Sequence, residues 1–160
     1  MEKDRLLDTA RRTVGRLVLL VSVLALCACS LPRIVVLDDP LTPEEHVNLG
    51  VVYEREGRYD DAVREYRKAS ERLPVAILYM GNAYFLKGEY GRAEACYRKA
   101  IREDPDNADA MNNLAWLYYR LGRNLDEAES LVLEAIEARP DRADAYRDTL
   151  VKIRRAREER

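Results

Sequence analysis

Phenylalanine, tryptophan and histidine occur once each in these 160 residues, and cysteine three times. One histidine leaves no HExxH zinc helix, and the seven glycines form no Gly-rich phosphate loop. A nucleophilic Cys-His pair would have to join His46 to Cys96. The first falls on the packing face of an expected helix, and the second reads as a half-buried filler beside Tyr97. No disulfide framework or zinc site follows from the cysteines that are present. An excess of bases is also missing: 27 Lys and Arg against 29 Asp and Glu give a net charge of −2, which supplies no basic surface for nucleic acid. The carboxylates Asp60, Asp61, Asp126, Glu127, Glu158 and Glu159 fall at expected helix starts or on solvated faces. No catalytic residue, cofactor, metal or small-molecule substrate is expected, and the chain is not read as an enzyme.

What is present is apolar content of 48% with ten tyrosines and much Ala, Leu, Glu and Arg, a composition that favours helices. The first 28 residues are a different material. Met1 to Arg16 holds five bases and three acids, and LVLLVSVLAL follows without a charge from Leu17 to Leu26. This has the order of an export signal. The run is short of the roughly 20 apolar residues that cross a bilayer. Leu26-Cys27-Ala28-Cys29 then resembles a bacterial lipobox, with Cys29 as the lipidated first residue of the mature chain. A frame ending at Cys27 puts a bulky Leu26 where a small residue is required, and an ordinary secretory signal with incidental cysteines is the remaining alternative. The resemblance implies a palmitate-bearing lipoprotein held by several acyl chains at the periplasmic side of the cell envelope. Ser30 after the cysteine resembles outer-membrane rather than inner-membrane sorting. Removing the signal leaves 22 bases and 26 acids, a net charge of −4. Residues 29–42 then read as an extended tether, whose apolar run Ile34–Leu37 is expected to dock on the first repeat unit, either along the helix at 43–56 or in the groove.

Beyond the tether the chain repeats itself. Leu49, Gly50, Tyr53, Gly57, Ala62, Tyr66, Ala69 and Pro74 match Met80, Gly81, Tyr84, Gly88, Ala93, Tyr97, Ala100 and Pro105. They match again Leu114, Ala115, Tyr118, Gly122, Ala128, Val132, Ala135 and Pro140, at offsets of 31 and then 34 or 35 residues. Each line predicts a helix with a small residue beside large ones, a glycine that closes it, and a second helix with Ala, Tyr or Val, and Ala at spacings i, i+4 and i+7. Thr42-Pro43-Glu44-Glu45 predicts a capping box at the first start. The short first unit predicts a tight turn after Leu73, and the residue added around Asn124 should be absorbed between the helices of the third unit.

These columns resemble the tetratricopeptide repeat, a helix-turn-helix unit of about 34 residues. The resemblance implies an all-α, right-handed solenoid of three units, 43–73, 74–107 and 108–142, followed by a capping helix at 143–160. The five bases from Lys152 to Arg160 are expected to complement the C-terminus of that helix in water. In this family the first helices line a concave groove for a peptide or helix. The off-core positions here are Val47, Val51 and Glu54, then Leu78, Asn82 and Phe85, then Asn112, Trp116 and Tyr119. Of these, Val47, Val51, Leu78, Asn82, Phe85, Asn112, Trp116 and Tyr119 are the candidate protein-binding residues, with Phe85 read as the counterpart of Trp116 one repeat earlier. Chaperone-binding members grip a C-terminal carboxylate through Lys and Asn early in the first helix, where this chain has Val47 and Val51. A carboxylate clamp is therefore not expected. The resulting expectation is a membrane-anchored adaptor that binds a protein segment for assembly of an envelope complex. The alternatives are an accessory, substrate-presenting subunit of an envelope enzyme such as a peptidase, or a self-assembling structural module.

Overall fold

A computed structural model of the chain describes residues 39–159. The expected signal segment 1–28, Cys29 and the run Ile34–Leu37 lie outside these residues. Among the described residues there are seven α-helices and no strand: α1 (Pro43–Arg55), α2 (Tyr59–Ser70), α3 (Val75–Lys87), α4 (Tyr90–Glu103), α5 (Ala108–Leu121), α6 (Leu125–Ala138) and α7 (Ala143–Glu158). None of them is long and apolar enough to cross a membrane.

Local chemistry explains the boundaries. At the start of α1 the Glu45 amide donates to Thr42 Oγ1 at 3.2 Å while the Thr42 amide donates to Glu45 Oε2 at 2.8 Å, closing the expected capping box. The turns inside the three hairpins repeat one device, a glycine at positive φ: Gly57 at 73°, Gly88 at 84° and Gly122 at 58°. The next amide then reaches back to a tyrosine carbonyl, from Arg58 to Tyr53 at 2.8 Å, Glu89 to Tyr84 at 2.9 Å and Arg123 to Tyr118 at 3.1 Å. The third hairpin absorbs its additional residue at Asn124, which takes φ 53° and precedes α6.

The tight turn expected after Leu73 is corrected: both turns between hairpins are four residues long, and the first unit is shorter because α2 has 12 residues where α4 has 14. After α2 the chain turns in four residues, and Pro74 is itself helical at φ −54°, ψ −31°, so it opens α3 as much as it closes the first unit. The turn after α4 is also four residues long and ends on Asn107, whose side chain accepts the Ala110 amide at 3.0 Å.

Successive helices pack as antiparallel pairs, and α7 covers both α5 and α6. Neighbouring first helices touch, α1 with α3 and α3 with α5, whereas the second helices α2, α4 and α6 do not touch one another. The stack therefore curves with α1, α3 and α5 on its inner side. Its core is the expected small-and-large pattern: Ala62, Tyr66 and Ala69, then Ala93, Tyr97 and Ala100, then Ala128, Val132 and Ala135 are all buried. Gly50 and Gly81 admit the rings of Tyr66 and Tyr97 against the helix backbone. His46 is buried against Glu65, Nδ1 to Oε2 at 2.8 Å, and ties α1 to α2.

The end helix is bound more specifically than its sequence suggests. Ala143, Tyr146, Leu150 and Ile153 are buried, and the Tyr146 hydroxyl donates to Asp109 Oδ1 at 3.0 Å. Arg154 Nε donates to Glu129 Oε1 at 2.7 Å, and Arg157 pairs with both Glu129 and Asp126. These two arginines serve the interface with α6 instead of the helix C-terminus alone, because the acids of α6 lie within their reach.

Candidate protein-binding groove

The inner face is built from side chains that α1, α3 and α5 turn away from their hairpin partners. A cavity of about 300 Å³ opens there, lined by Glu54 of α1, Asn82, Phe85 and Leu86 of α3, Asn113 and Trp116 of α5, and Tyr97 from α4 behind them. Contributions from all three repeat units thus meet in one concavity.

Hydrogen bonds fix its floor. Asn82 Oδ1 accepts from the Tyr97 hydroxyl at 3.0 Å and from Asn113 Nδ2 at 2.9 Å, joining two hairpins through one amide. Burial pushes the Tyr97 phenol above its ordinary range. Tyr97 is consequently a neutral donor at any ordinary pH. The Tyr66 hydroxyl donates to Glu54 Oε2 at 3.3 Å. Desolvation raises the Glu54 carboxyl above the usual carboxylate value, and the Tyr66 bond opposes this only in part.

The walls are apolar and aromatic. Phe85 stands against Tyr90 at 5.6 Å between ring centroids, and Trp116 against Tyr119 at 5.2 Å. Lys152 of α7 lies 5.0 Å from the Trp116 ring centroid. Trp116 belongs neither to the buried core nor to the apolar side chains packed directly on it, whereas Phe85, Tyr119, Val47 and Val51 are half-buried and do pack on it.

Of the eight residues read from the sequence as groove positions, Asn82, Phe85 and Trp116 line the cavity. Val47 and Val51 extend the half-buried inner face on α1. Tyr119 lies against Trp116 and is not among the residues that line the cavity.

Leu78 requires correction: it is 7% exposed and part of the core. Helix α3 is flanked by first helices on both sides, so the column that leaves Val47 half-open at the end of the stack is closed over in the middle. Asn112 is half-buried, and its Oδ1 is enclosed without a hydrogen-bond partner; the amide that reaches the cavity is its neighbour Asn113. The pairing of Phe85 with Trp116 is also corrected. The offset of 34 residues that aligns Gly81 with Ala115 sets Asn82 against Trp116 and Phe85 against Tyr119.

Leu86, Tyr97 and Asn113 were not legible as lining residues. Tyr97 carries a packing signal, and only the fold shows that its ring fills the gap beside Gly81 while its hydroxyl serves the groove.

No group of three or more His, Cys, Asp or Glu side chains is placed to hold a metal among the described residues. Cys96 is half-buried, and burial pushes its thiol up, away from the reactive thiolate.

Comparison with known proteins gives one consistent result. Residues 43–74 and 107–139 match the tetratricopeptide repeat family and residues 81–122 match the TPR repeat family. The chain is 34% identical over 99 residues to human protein O-mannosyl-transferase TMTC2, covering 58% of this chain and 12% of that protein. To the photosystem I assembly protein Ycf3 of Synechococcus sp. (strain CC9605) it is 33% identical over 89 residues, covering 49% of each. The chain therefore spans at most about half the length of these two curated relatives.

Among solved structures, the first TPR domain of Spaghetti (RPAP3) bound to the HSP90 peptide SRMEEVD superposes with TM-score 0.64 at 22% identity, over 76% of this chain and 98% of that one. The TPR2B domain of yeast Sti1 in its pHsp70 complex gives 0.65 at 20% identity, over 74% and 98%. At such identities the likeness is one of fold.

Proposed function

We propose that this chain, which carries tetratricopeptide repeats over residues 43–74 and 81–139, is an interaction adaptor that holds a partner protein's peptide or helix in the groove of α1, α3 and α5 and performs no chemistry of its own. The observation that carries this reading is the convergence of Asn82, Phe85 and Trp116, with Asn113, on one cavity spanning successive repeats. Apolar and aromatic walls with a few fixed polar groups are the ordinary make-up of a recognition site, aromatic side chains holding the ligand and amides meeting its backbone. The solved relatives hold HSP90 and Hsp70 peptides on the same architecture, which supports a peptide ligand as a class.

The adaptor is attached to the bacterial cell envelope through acyl chains on Cys29, most simply at the periplasmic side of the outer membrane, and it serves the assembly of an envelope complex. The lipobox-like Leu26-Cys27-Ala28-Cys29 after an uncharged apolar run, and Ser30 behind it, support this part of the reading.

Affinity capture from detergent-solubilised membranes, with wild type and Trp116→Ala in parallel and mass spectrometry of what co-purifies, tests the proposal. A protein retained by the wild type and lost by the variant is expected. A partner held equally by both would overturn the groove as the binding surface, and recovery of an envelope hydrolase or of further copies of this chain would replace assembly with substrate presentation or self-association.

A further inference from the structure

The groove cavity has a sign. Among the described residues that line it Glu54 is the one carboxylate, and no lysine or arginine joins it. Elsewhere in the fold the carboxylates that lie between helices have cations: Glu94 has Arg98 and Arg123, Glu129 has Arg154 and Arg157. Among the described residues Glu54 has only the Tyr66 hydroxyl, at 3.3 Å, and no cation relieves the desolvation of its carboxyl. Lys152, at the far wall over Trp116, is bonded to Asp148. A half-buried carboxylate without a cation weakens the free protein and is repaid only when a cation arrives.

Beside it lie Phe85, Trp116 and the half-exposed Leu86, faces that suit the methylene stem of a long cationic side chain and an apolar neighbour. About 300 Å³ is the lower end of ligand-sized cavities, room for an anchoring side chain and not for a folded element.

We infer that the cavity takes a lysine or arginine of the bound segment, its charge on Glu54 and its stem and an adjacent apolar residue against Phe85, Leu86 and Trp116, so that the partner presents a basic, apolar-flanked stretch and not an acidic chain end. This rests on the groove reading above and adds the chemistry of the ligand. An incoming carboxylate would meet Glu54 with no base among the described lining residues to compensate.

The test uses the full chain in detergent and random dodecapeptides displayed on phage, with the selected sequences then synthesised and titrated by fluorescence anisotropy. Enrichment of Lys or Arg beside apolar residues is expected. Glu54→Gln, which still accepts the Tyr66 hydroxyl and removes the uncompensated charge, should melt at or above the wild type and is expected to weaken these peptides about tenfold and to flatten their salt dependence. Glu54→Lys should shift selection towards acidic peptides.

Selected peptides that are acidic, or that bind Glu54→Gln as tightly as the wild type while still requiring Trp116, overturn the cation site and leave the groove in place. Peptides that bind Trp116→Ala and Phe85→Ala undiminished overturn the groove reading itself, and this inference with it.

Discussion

Gly50 and Gly81 show how closely single residues set the repeat. A Cβ on Gly81 would lie 2.5 Å from Tyr97 Cε1, and one on Gly50 would be closer still to Tyr66. Neither ring can retreat, since both are buried between helices. Gly50→Ala and Gly81→Ala should each cost about 1 to 3 kcal/mol, read as a lowered melting temperature. Gly91→Ala is the control: nothing lies within 4 Å of its Cβ, and alanine is the better helix former, so its melting point should hold or rise. Tyr118 makes a second residue-scale prediction. Its hydroxyl donates to Glu94 Oε1 at 2.7 Å and accepts from Arg98 at 2.6 Å, and burial first, then that bond, push its phenol from 10.0 up to about 12. A raised value in the folded state means stability fully present below about pH 10 and lost as the pH climbs through about 12. Wild type should thus lose stability steeply between those values, and Tyr118→Phe should lose less over the same interval in urea titrations at each pH. Residues such as Gly50 were legible because a small side chain recurring beside large ones has one packing meaning. Glu54 was legible as an off-core groove position but not as a desolvated carboxylate, because a charge on a helix reads as solvated until the fold lays Tyr66 and the cavity around it.

Helix ends carry their own local chemistry, which is why the Thr42 capping box and the closing glycines could be read without tertiary information. Faces cannot be read so locally. Val47 and Leu78 occupy the same repeat position, yet one is half-open and the other buried, because α1 has a first helix on one side and α3 on both. The end helix makes the element-scale prediction. It buries Tyr146, Leu150 and Ile153 and is pinned by Asp109 of α5 and Glu129 of α6. Ile153 is fully buried, so Ile153→Ala should cost about 2 to 5 kcal/mol, while Val151→Ala, at an exposed position on the same helix, should change little. Removal of residues 143–160 bares the outer faces of α5 and α6 and should bring aggregation and loss of a cooperative transition, followed by light scattering and circular dichroism. A truncated chain that stays monomeric with an unchanged melt would show that the stack ends stably on α6.

At the scale of the whole molecule the proposed membrane anchor rests on the lipobox-like sequence that ends at Cys29. Cys29→Ala should abolish incorporation of labelled palmitate and leave the precursor mass unprocessed; unchanged labelling would refute Cys29 as the acceptor. The groove prediction joins stability to binding. Trp116 is the only tryptophan, half-buried, outside the core, and held by Tyr119 and Lys152 at centroid distances of 5.2 and 5.0 Å. A core aromatic cut to alanine costs about 3 to 5 kcal/mol. Trp116→Ala removes ring contacts worth about 1 kcal/mol, so it should fold with a slightly lowered melting point. Binding should suffer more, by the 2 kcal/mol or more of an aromatic anchor. Phe85 lines the same cavity but also packs on the core, so Phe85→Ala should lose binding comparably and stability more than Trp116→Ala does. The ratio of the two losses, from calorimetric melts and peptide titration on the same preparations, separates the roles. A Trp116→Ala protein that unfolds like a core mutant would make the tryptophan a structural strut, and one that folds and binds in full would move recognition away from the inner face.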